Sequence, residues 1–201
     1  MIVDERIITF INSLDTKNSE ILEDIEREAL ADNVPIIRRE MQSFLKVLLM
    51  VKKPMRVLEV GTAVGFSALL MSEYVPEECA ITTIENYEKR IPIARQNFVR
   101  AGKEKKITLL EGDAMDVLKT LEGPYDFIFM DAAKGQYIHY LPEILRLLAK
   151  GGILVSDNVM QDGDVIESRF AVERRDRTIH ARMREYLYEL KHNDALVTSI
   201  I

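Results

Sequence analysis

Asp131, Asp157 and Asn158 each follow an apolar run, YDFIFM before the first and GGILVS before the pair. Runs of this kind read as strands buried on both faces, so both carboxylates are expected at neighbouring strand ends facing one crevice. Two carboxylates and a carboxamide form a hard oxygen set with no thiolate and no nearby histidine. That set suits Mg²⁺, with Mn²⁺ or Ca²⁺ as alternatives, better than a softer metal. Asp157 and Asn158 are equally the residue types that cap a turn after a strand, and spacing alone leaves both readings open. Lys134, three residues beyond Asp131, can reach the same place, although a plain surface lysine would have the same spacing.

A second chemical pattern lies at residues 56–67, RVLEVGTAVGFS. An apolar run ends in Gly61, Gly65 follows, and a helix-compatible run from Ser67 to Tyr74 begins at once: a strand, a tight turn and a helix N-terminus, which together form a ligand cradle. A dinucleotide fingerprint would be GxGxxG, with a middle glycine admitting a pyrophosphate. Here Thr62, Ala63 and Val64 fill the gap, which disfavours a nicotinamide dehydrogenase. The next strand, ITTIE, ends in Glu85, 24 residues beyond Gly61, where a carboxylate suits the two hydroxyls of a ribose. An adenosine ligand without phosphates, S-adenosylmethionine above all, fits these features. An ordinary α/β turn with a solvated Glu85 has the same pattern.

These residues require a sheet to carry them. From Arg56 onward strand-like and helix-like stretches alternate, the signature of a parallel sheet with crossover helices. Strands are expected near 56–60, 80–84, 106–110, 125–130, 152–156 and 196–201, and helices near 65–74, 87–101, 113–121, 136–149 and 173–192. Apolar residues at helical spacing, Ile7 to Leu14, Ile21 to Leu30 and Met41 to Leu49, make residues 1–52 a set of N-terminal helices. Ser19 is expected in the N-cap region of the second, and VPII at 34–37 interrupts the pattern before a third over about 39–51. The expected fold is α/β, a Rossmann-like, doubly wound, mostly parallel sheet with additional N-terminal helices, forming one domain over 1–201. The final LVTSII reads as a strand, which would leave the closing strand of a hairpin-ended sheet absent or differently disposed.

Composition narrows the function classes. The chain is 47% hydrophobic, which excludes disorder, and its net charge of −6 argues against a broadly basic nucleic-acid binder while permitting a local patch. No apolar run approaches bilayer length, and MIVDERIITF lacks a signal-peptide pattern, so a cytoplasmic protein without membrane attachment is expected. Cys79, the single cysteine, permits neither an intrachain disulfide nor a cysteine metal cluster.

The ordered motifs LEVGTAVGFS, TIE, EGDA, FIFMDAAKGQY and GGILVSDN resemble the divalent-metal-dependent O-methyltransferase family that includes catechol and caffeoyl-coenzyme A methyltransferases. The resemblance runs from about Val34 to Asn158 and continues more weakly to the C-terminus. VPI near residue 34, the AAKGQY segment and the arginines after Phe170 most resemble the bacterial branch that methylates 5-hydroxyuridine at the tRNA wobble position to 5-methoxyuridine. The resemblance implies S-adenosylmethionine as donor, with Asp131, Asp157 and Asn158 as metal ligands, Asp131 also near the donor's amino group, and Lys134 as the catalytic lysine. It further implies Glu85 on the ribose, Ser67 and the Gly61 turn at the methionine end, Asp113 and Ala114 beside adenine, and a backbone contact from Ile37, with Glu59 also counted among the cofactor-binding residues. It also implies a homodimer. Val159 and Met160 depart from the aromatic or leucine that many relatives carry after the Asp-Asn pair, so the aromatic acceptor is not carried over with the rest.

Two vicinal oxygens that can chelate a metal occur in catechols and in 5-hydroxyuridine alike. Arg169, Arg174, Arg175, Arg177, Arg182 and Arg184 crowd into sixteen residues. They could grip RNA phosphates, Arg169, Arg174, Arg175 and Arg177 foremost. They could equally bind a coenzyme A phosphate or form a solvated face paired with Glu173, Asp176 and Glu185. The expected acceptor is therefore a tRNA base, with a small catechol-like or caffeoyl-coenzyme A-like molecule as the alternative. A non-catalytic nucleotide- or RNA-binding module is the alternative of another class.

Overall fold

The computed structural model describes residues 4–201. Five strands form one sheet: β1 (Arg56–Val60), β2 (Ala80–Glu85), β3 (Ile107–Glu111), β4 (Tyr125–Met130) and β5 (Leu148–Ser156). All pairings are parallel in the order β3-β2-β1-β4-β5. The order reverses between β1 and β4, which opens a crevice at their carboxyl ends, where ligands of such sheets bind.

Alternate residues of the strands face opposite layers because side chains alternate across a strand. Val57, Ile81, Phe127 and Phe129 pack with the layer containing α2 (Glu20–Ala31), α3 (Arg39–Lys52), α4 (Phe66–Tyr74) and α5 (Ile91–Arg100). Leu58, Val60, Ile128 and Met130 pack with α6 (Ala114–Thr120), α7 (Tyr137–Leu147) and α8 (Arg177–His192). The N-terminal helices belong to this same core: Leu22, Ile25, Leu45 and Leu49 are at most 1% exposed. The exception is α1 (Glu5–Ser13), which buries no residue and leans on α3.

Several expected elements have shifted ends with local causes. The helix expected from 87 starts at Ile91, because the N–H groups of Asn86 and Tyr87 are taken by the Glu85 carboxylate. Ser19 stands at the N-cap of α2, yet its hydroxyl donates to Glu73 instead of accepting a helix N–H. The helix expected from 173 begins at Arg177, after a turn closed by the bond from Asp176 N–H to the Glu173 carbonyl.

The strand expected at 196–201 does not form. Its segment turns at Asn193, where Leu196 N–H donates to the Asn193 carbonyl at 3.0 Å. It is then tied to the end of α8: Lys191 Nζ donates to the Thr198 carbonyl, and the Thr198 hydroxyl to the Leu190 carbonyl, both at 2.8 Å. Those bonds replace a ladder with β5, and Val197 is left fully exposed.

Candidate active site

The turn after β1 is built by backbone requirements. The N–H groups of Gly61 and Thr62 both donate to the Ile84 carbonyl at 3.1 Å, which pulls the turn toward β2. Gly61 adopts φ +105°, and a Cβ there would overlap the Asp131 carbonyl oxygen and lie 2.8 Å from its carbon, so only glycine allows the ends of β1 and β4 to meet. Asn97 Nδ2 donates to the Val64 carbonyl at 2.9 Å and fastens the turn to α5.

Glu85, at the end of β2, accepts N–H bonds from Ala63 at 2.7 Å and from Asn86 and Tyr87 at 2.9 Å each. A carboxylate offers about four lone-pair directions, so one remains for a ligand hydroxyl. Glu59 is wholly buried beneath the turn. Its Oε2 accepts from the Thr83 hydroxyl, while Oε1 has no hydrogen-bond partner. Desolvation therefore raises its pKa to about 7, and the nearby Ser67 and Thr83 hydroxyls offset only part of the rise.

Asp131 and Asp157 each lie one residue beyond the paired Met130 and Ser156, so parallel register sets them side by side. Asp131 N–H donates to the Val60 carbonyl at 2.9 Å and Asp157 N–H to the Met130 carbonyl at 3.0 Å, extending the ladders to the site. Asp157 is 7% exposed, and burial first, then the charge of Asp131, raises its pKa. Its Oδ1 accepts from the Asn158 N–H at 2.8 Å, so the turn-capping role and a ligand role coexist on one carboxylate. Asn158 sits at φ 56°, a left-handed conformation that asparagine tolerates better than most residues. Among the described residues no group of three or more His, Cys, Asp or Glu is disposed to hold a metal. The candidate set thus depends on the Asn158 carboxamide.

Lys134 opens a short 3₁₀ turn ahead of α7. Its Nζ lies 2.7 Å from Asp131 Oδ1 and 3.1 Å from the Tyr137 hydroxyl, which donates to the Met130 carbonyl at 2.8 Å. Tyr137 is fully buried, with its ring edge-on to Tyr186. The Tyr137 hydroxyl thereby reaches the site although its ring lies in the core. A lysine three residues before a tyrosine across the start of a helix was its only sequence signal.

One cavity of about 650 Å³ is lined by Ile37, Gly61, Ser67, Glu85 and Ala114 together with Asp131, Lys134, Asp157 and Asn158. Glu59 is wholly buried and does not line it, its carboxylate lying against the Thr83 hydroxyl on one face of the sheet. Asp113 also stays out of the wall: its carboxylate caps α6 by accepting the Met115 N–H at 2.9 Å, leaving Gly112 and Ala114 to line the cavity. Tyr140 and Arg38 join the lining.

The arginines divide into two sets. Arg182 Nη1 donates to the Gly135 carbonyl at 3.1 Å, Arg184 Nη1 to the Val165 carbonyl at 2.9 Å, and Arg177 Nε to the Val172 carbonyl at 3.3 Å. Arg175 pairs with Glu173 and Asp176. Arg169 and Arg174 are exposed and make no hydrogen bond or ion pair among the described residues.

A family model described as O-methyltransferase matches residues 12–199. A catechol O-methyltransferase of Niastella koreensis is 35% identical over 128 residues, 62% of this chain and 58% of that protein. Caffeoyl-CoA O-methyltransferase 2 of Populus trichocarpa is 35% identical over 133 residues, 61% of this chain and 52% of that protein. The matched region thus spans just over half the length of these curated relatives. The crystal structure of an O-methyltransferase from Bacillus cereus in complex with SAH superposes with a TM-score of 0.82 at 25% identity, covering 94% of this chain and 86% of that one.

Proposed function

Because the chain belongs to the O-methyltransferase family, we propose that it transfers the methyl group of S-adenosylmethionine to a hydroxyl oxygen of an acceptor bearing two neighbouring oxygens. The observation that carries this reading is the shared cavity, whose lining brings the Gly61 turn and Glu85 together with Asp131, Lys134, Asp157 and Asn158. A donor seated in the cradle would lay its ribose against Glu85 and its methionine end against Gly61 and Ser67. The glycine-only approach to Asp131 brings a carboxylate beside the turn, which suits a ligand with a cationic amino group.

Asp131, Asp157 and Asn158 fit a divalent ion, Mg²⁺ foremost, with Mn²⁺ or Ca²⁺ as alternatives, by the chemistry of their oxygens and by the pairing of two carboxylates, one buried, beside a single lysine. Such an ion, when bound, would fix two acceptor oxygens and favour the ionised hydroxyl. Lys134 Nζ donates to Asp131 and to the Tyr137 hydroxyl, which fix its direction; with the Asp131 carboxylate drawn away to a metal, the amine would be placed to take the hydroxyl proton. Methyl transfer is an in-line displacement that needs no covalent help from the protein, so orientation of the two substrates is the chief contribution of these walls.

A small catechol-like or caffeoyl-coenzyme A-like acceptor is supported by the named relatives. The second reading, 5-hydroxyuridine in tRNA, is favoured by the two exposed, unpaired arginines, Arg169 and Arg174. Arg177, Arg182 and Arg184 are engaged with backbone carbonyls, and Arg175 is held only by an exposed ion pair. A homodimer would cover the apolar side chains exposed on α1 and α3, Phe10, Leu14 and Val51 among them, and sedimentation of the Phe10→Glu variant against wild type tests it. No helix among the described residues is long and apolar enough to cross a membrane.

The deciding experiment is methyl transfer from labelled S-adenosylmethionine to a catechol and to tRNA containing 5-hydroxyuridine, with and without a chelator. Chelator-sensitive labelling of either acceptor supports the reading and chooses the acceptor. Donor binding without labelling of either would leave a non-catalytic binding module.

A further inference from the structure

Arg38 lines the same cavity as Lys134, Asp157 and Asn158. It is the last residue of the extended segment between α2 and α3 and the N-cap position of α3, next to the buried Ile37. Its guanidinium reaches across to the loop after β5, where Nη2 lies 2.7 Å from Asp162 Oδ1, a pairing of residues 124 apart in sequence. This is the only side-chain hydrogen bond or ion pair either residue makes among the described residues. The hydrogen bond to Asp162 first, then the charges of Asp162, Glu40 and Asp157, hold the Arg38 pKa above its usual value.

Two features make this pair exchangeable. Arg38 and Asp162 are 60% and 69% exposed, and an ion pair at that exposure contributes little net stability. Asp162 also holds φ 53°, a left-handed conformation unfavourable for most side chains, in a loop where Gln161 and Gly163 are left-handed as well. The other guanidinium in the cavity wall, Arg90, lies over the Tyr87 ring. Arg38 is therefore the guanidinium of the wall that is tied to the segment following Asp157 and Asn158.

We propose that Arg38 is the specificity-determining residue of the acceptor site, taking an anionic group, carboxylate or phosphate, of the acceptor in exchange for Asp162. The planar guanidinium can hold either anion through two parallel hydrogen bonds, an advantage a single exposed aspartate oxygen does not match. Asp162 then acts as an internal competitor that occupies Arg38 while no acceptor is bound. The proposal rests on the methyl-transfer reading for its acceptor, though the anion subsite itself can be read by binding alone.

The test compares matched acceptors: catechol against 3,4-dihydroxybenzoate, and 5-hydroxyuridine against its 5′-monophosphate, with wild type, Arg38→Gln and Asp162→Asn. In wild type the anionic member of at least one pair should have the higher kcat/KM, by on the order of tenfold, as expected for a charge-assisted bond. Arg38→Gln should collapse that ratio toward one, and Asp162→Asn should raise it. The pair that responds tells a small carboxylate from a nucleotide phosphate. Ratios untouched by Arg38→Gln, or an unaltered ratio in Asp162→Asn, would overturn the proposal and leave the ion pair a latch between two segments. Calorimetric binding of the same four compounds to protein saturated with S-adenosylhomocysteine separates the two readings. Arg38-dependent binding of the anionic member without any turnover keeps the subsite and fails the methyl-transfer reading, whereas binding indifferent to Arg38 removes the subsite whatever the turnover.

Discussion

Gly61 and Asp131 touch backbone to backbone: any Cβ on Gly61 would penetrate the Asp131 carbonyl. The donor turn and the strand end bearing the candidate metal ligand and lysine are therefore one rigid unit. Gly61→Ala should lower stability by about 3 kcal/mol, from the left-handed φ and the overlap together. It should weaken binding of S-adenosylhomocysteine as well. Denaturant unfolding and calorimetry on the same preparation check both, and an alanine variant with wild-type affinity would mean that the turn does not hold the donor.

Glu59 makes a prediction with a definite sign. Its folded pKa is raised from 4.5 to about 7 by burial, so the folded protein binds the proton more tightly than the unfolded chain does. Its contribution to stability is full below about pH 4.5 and is lost as pH rises to about 7, a change on the order of 3 kcal/mol. Glu59→Gln lacks this titration. The stability difference between variant and wild type, measured by urea unfolding from pH 5 to pH 8, should therefore shift steadily in favour of the variant. A difference independent of pH would show Glu59 to be ionised throughout.

Asp157 is costly to bury in the absence of a cation, since desolvation and Asp131 both raise its pKa. Its stability contribution likewise falls as pH rises above the usual carboxylate range. Asp157→Ala should accordingly leave the metal-free protein at least as stable as wild type at pH 8. It should abolish the rise in Tm that Mg²⁺ confers on wild type, which at a hundredfold excess over Kd corresponds to about 2.7 kcal/mol. Metal-dependent turnover should vanish with it. An undiminished Mg²⁺ response in the variant would place the ion elsewhere.

The sheet and both groups of cavity-lining residues were legible in sequence because buried parallel strands are continuous apolar runs whose carboxyl ends are marked by the first polar residue. That logic located Gly61, Glu85, Asp131 and Asp157. Asp113 and Glu59, expected beside the donor, do not line the cavity: Asp113 accepts the Met115 N–H at the start of α6, and Glu59 is wholly buried. The same logic failed for LVTSII, which alternates like a strand but is held by the end of α8. Contacts such as Arg38 with Asp162, or Arg182 with Gly135, join segments far apart in the chain and leave no local signal.

Lys134 is oriented by two partners, Asp131 at 2.7 Å and the Tyr137 hydroxyl at 3.1 Å. Lys134→Met should reduce single-turnover methyl transfer by roughly 10²- to 10⁴-fold, the range for removal of a positioned proton acceptor. The dissociation constant for S-adenosylhomocysteine should change little. A defect confined to affinity would make Lys134 a binding residue.

The arginines separate the two acceptors by their partners. Arg169 and Arg174 are exposed and unpaired, whereas Arg182 supports the carbonyl of Gly135, the residue next to Lys134. If tRNA is the acceptor, the double variant Arg169→Ala/Arg174→Ala should weaken tRNA binding and flatten its dependence on salt. Each lost phosphate contact reduces the slope of log K against log [salt] by roughly 0.7 to 0.9, so two contacts give about 1.5. Transfer to a small catechol should be unaffected, because neither arginine lines the cavity. Arg182→Ala should instead slow transfer to both acceptors alike, since what it loosens is the turn that carries the lysine. A double variant that binds tRNA with the wild-type salt slope would assign Arg169 and Arg174 to a solvated face. The exposed cations would then give no reason to prefer a tRNA base over a small phenol.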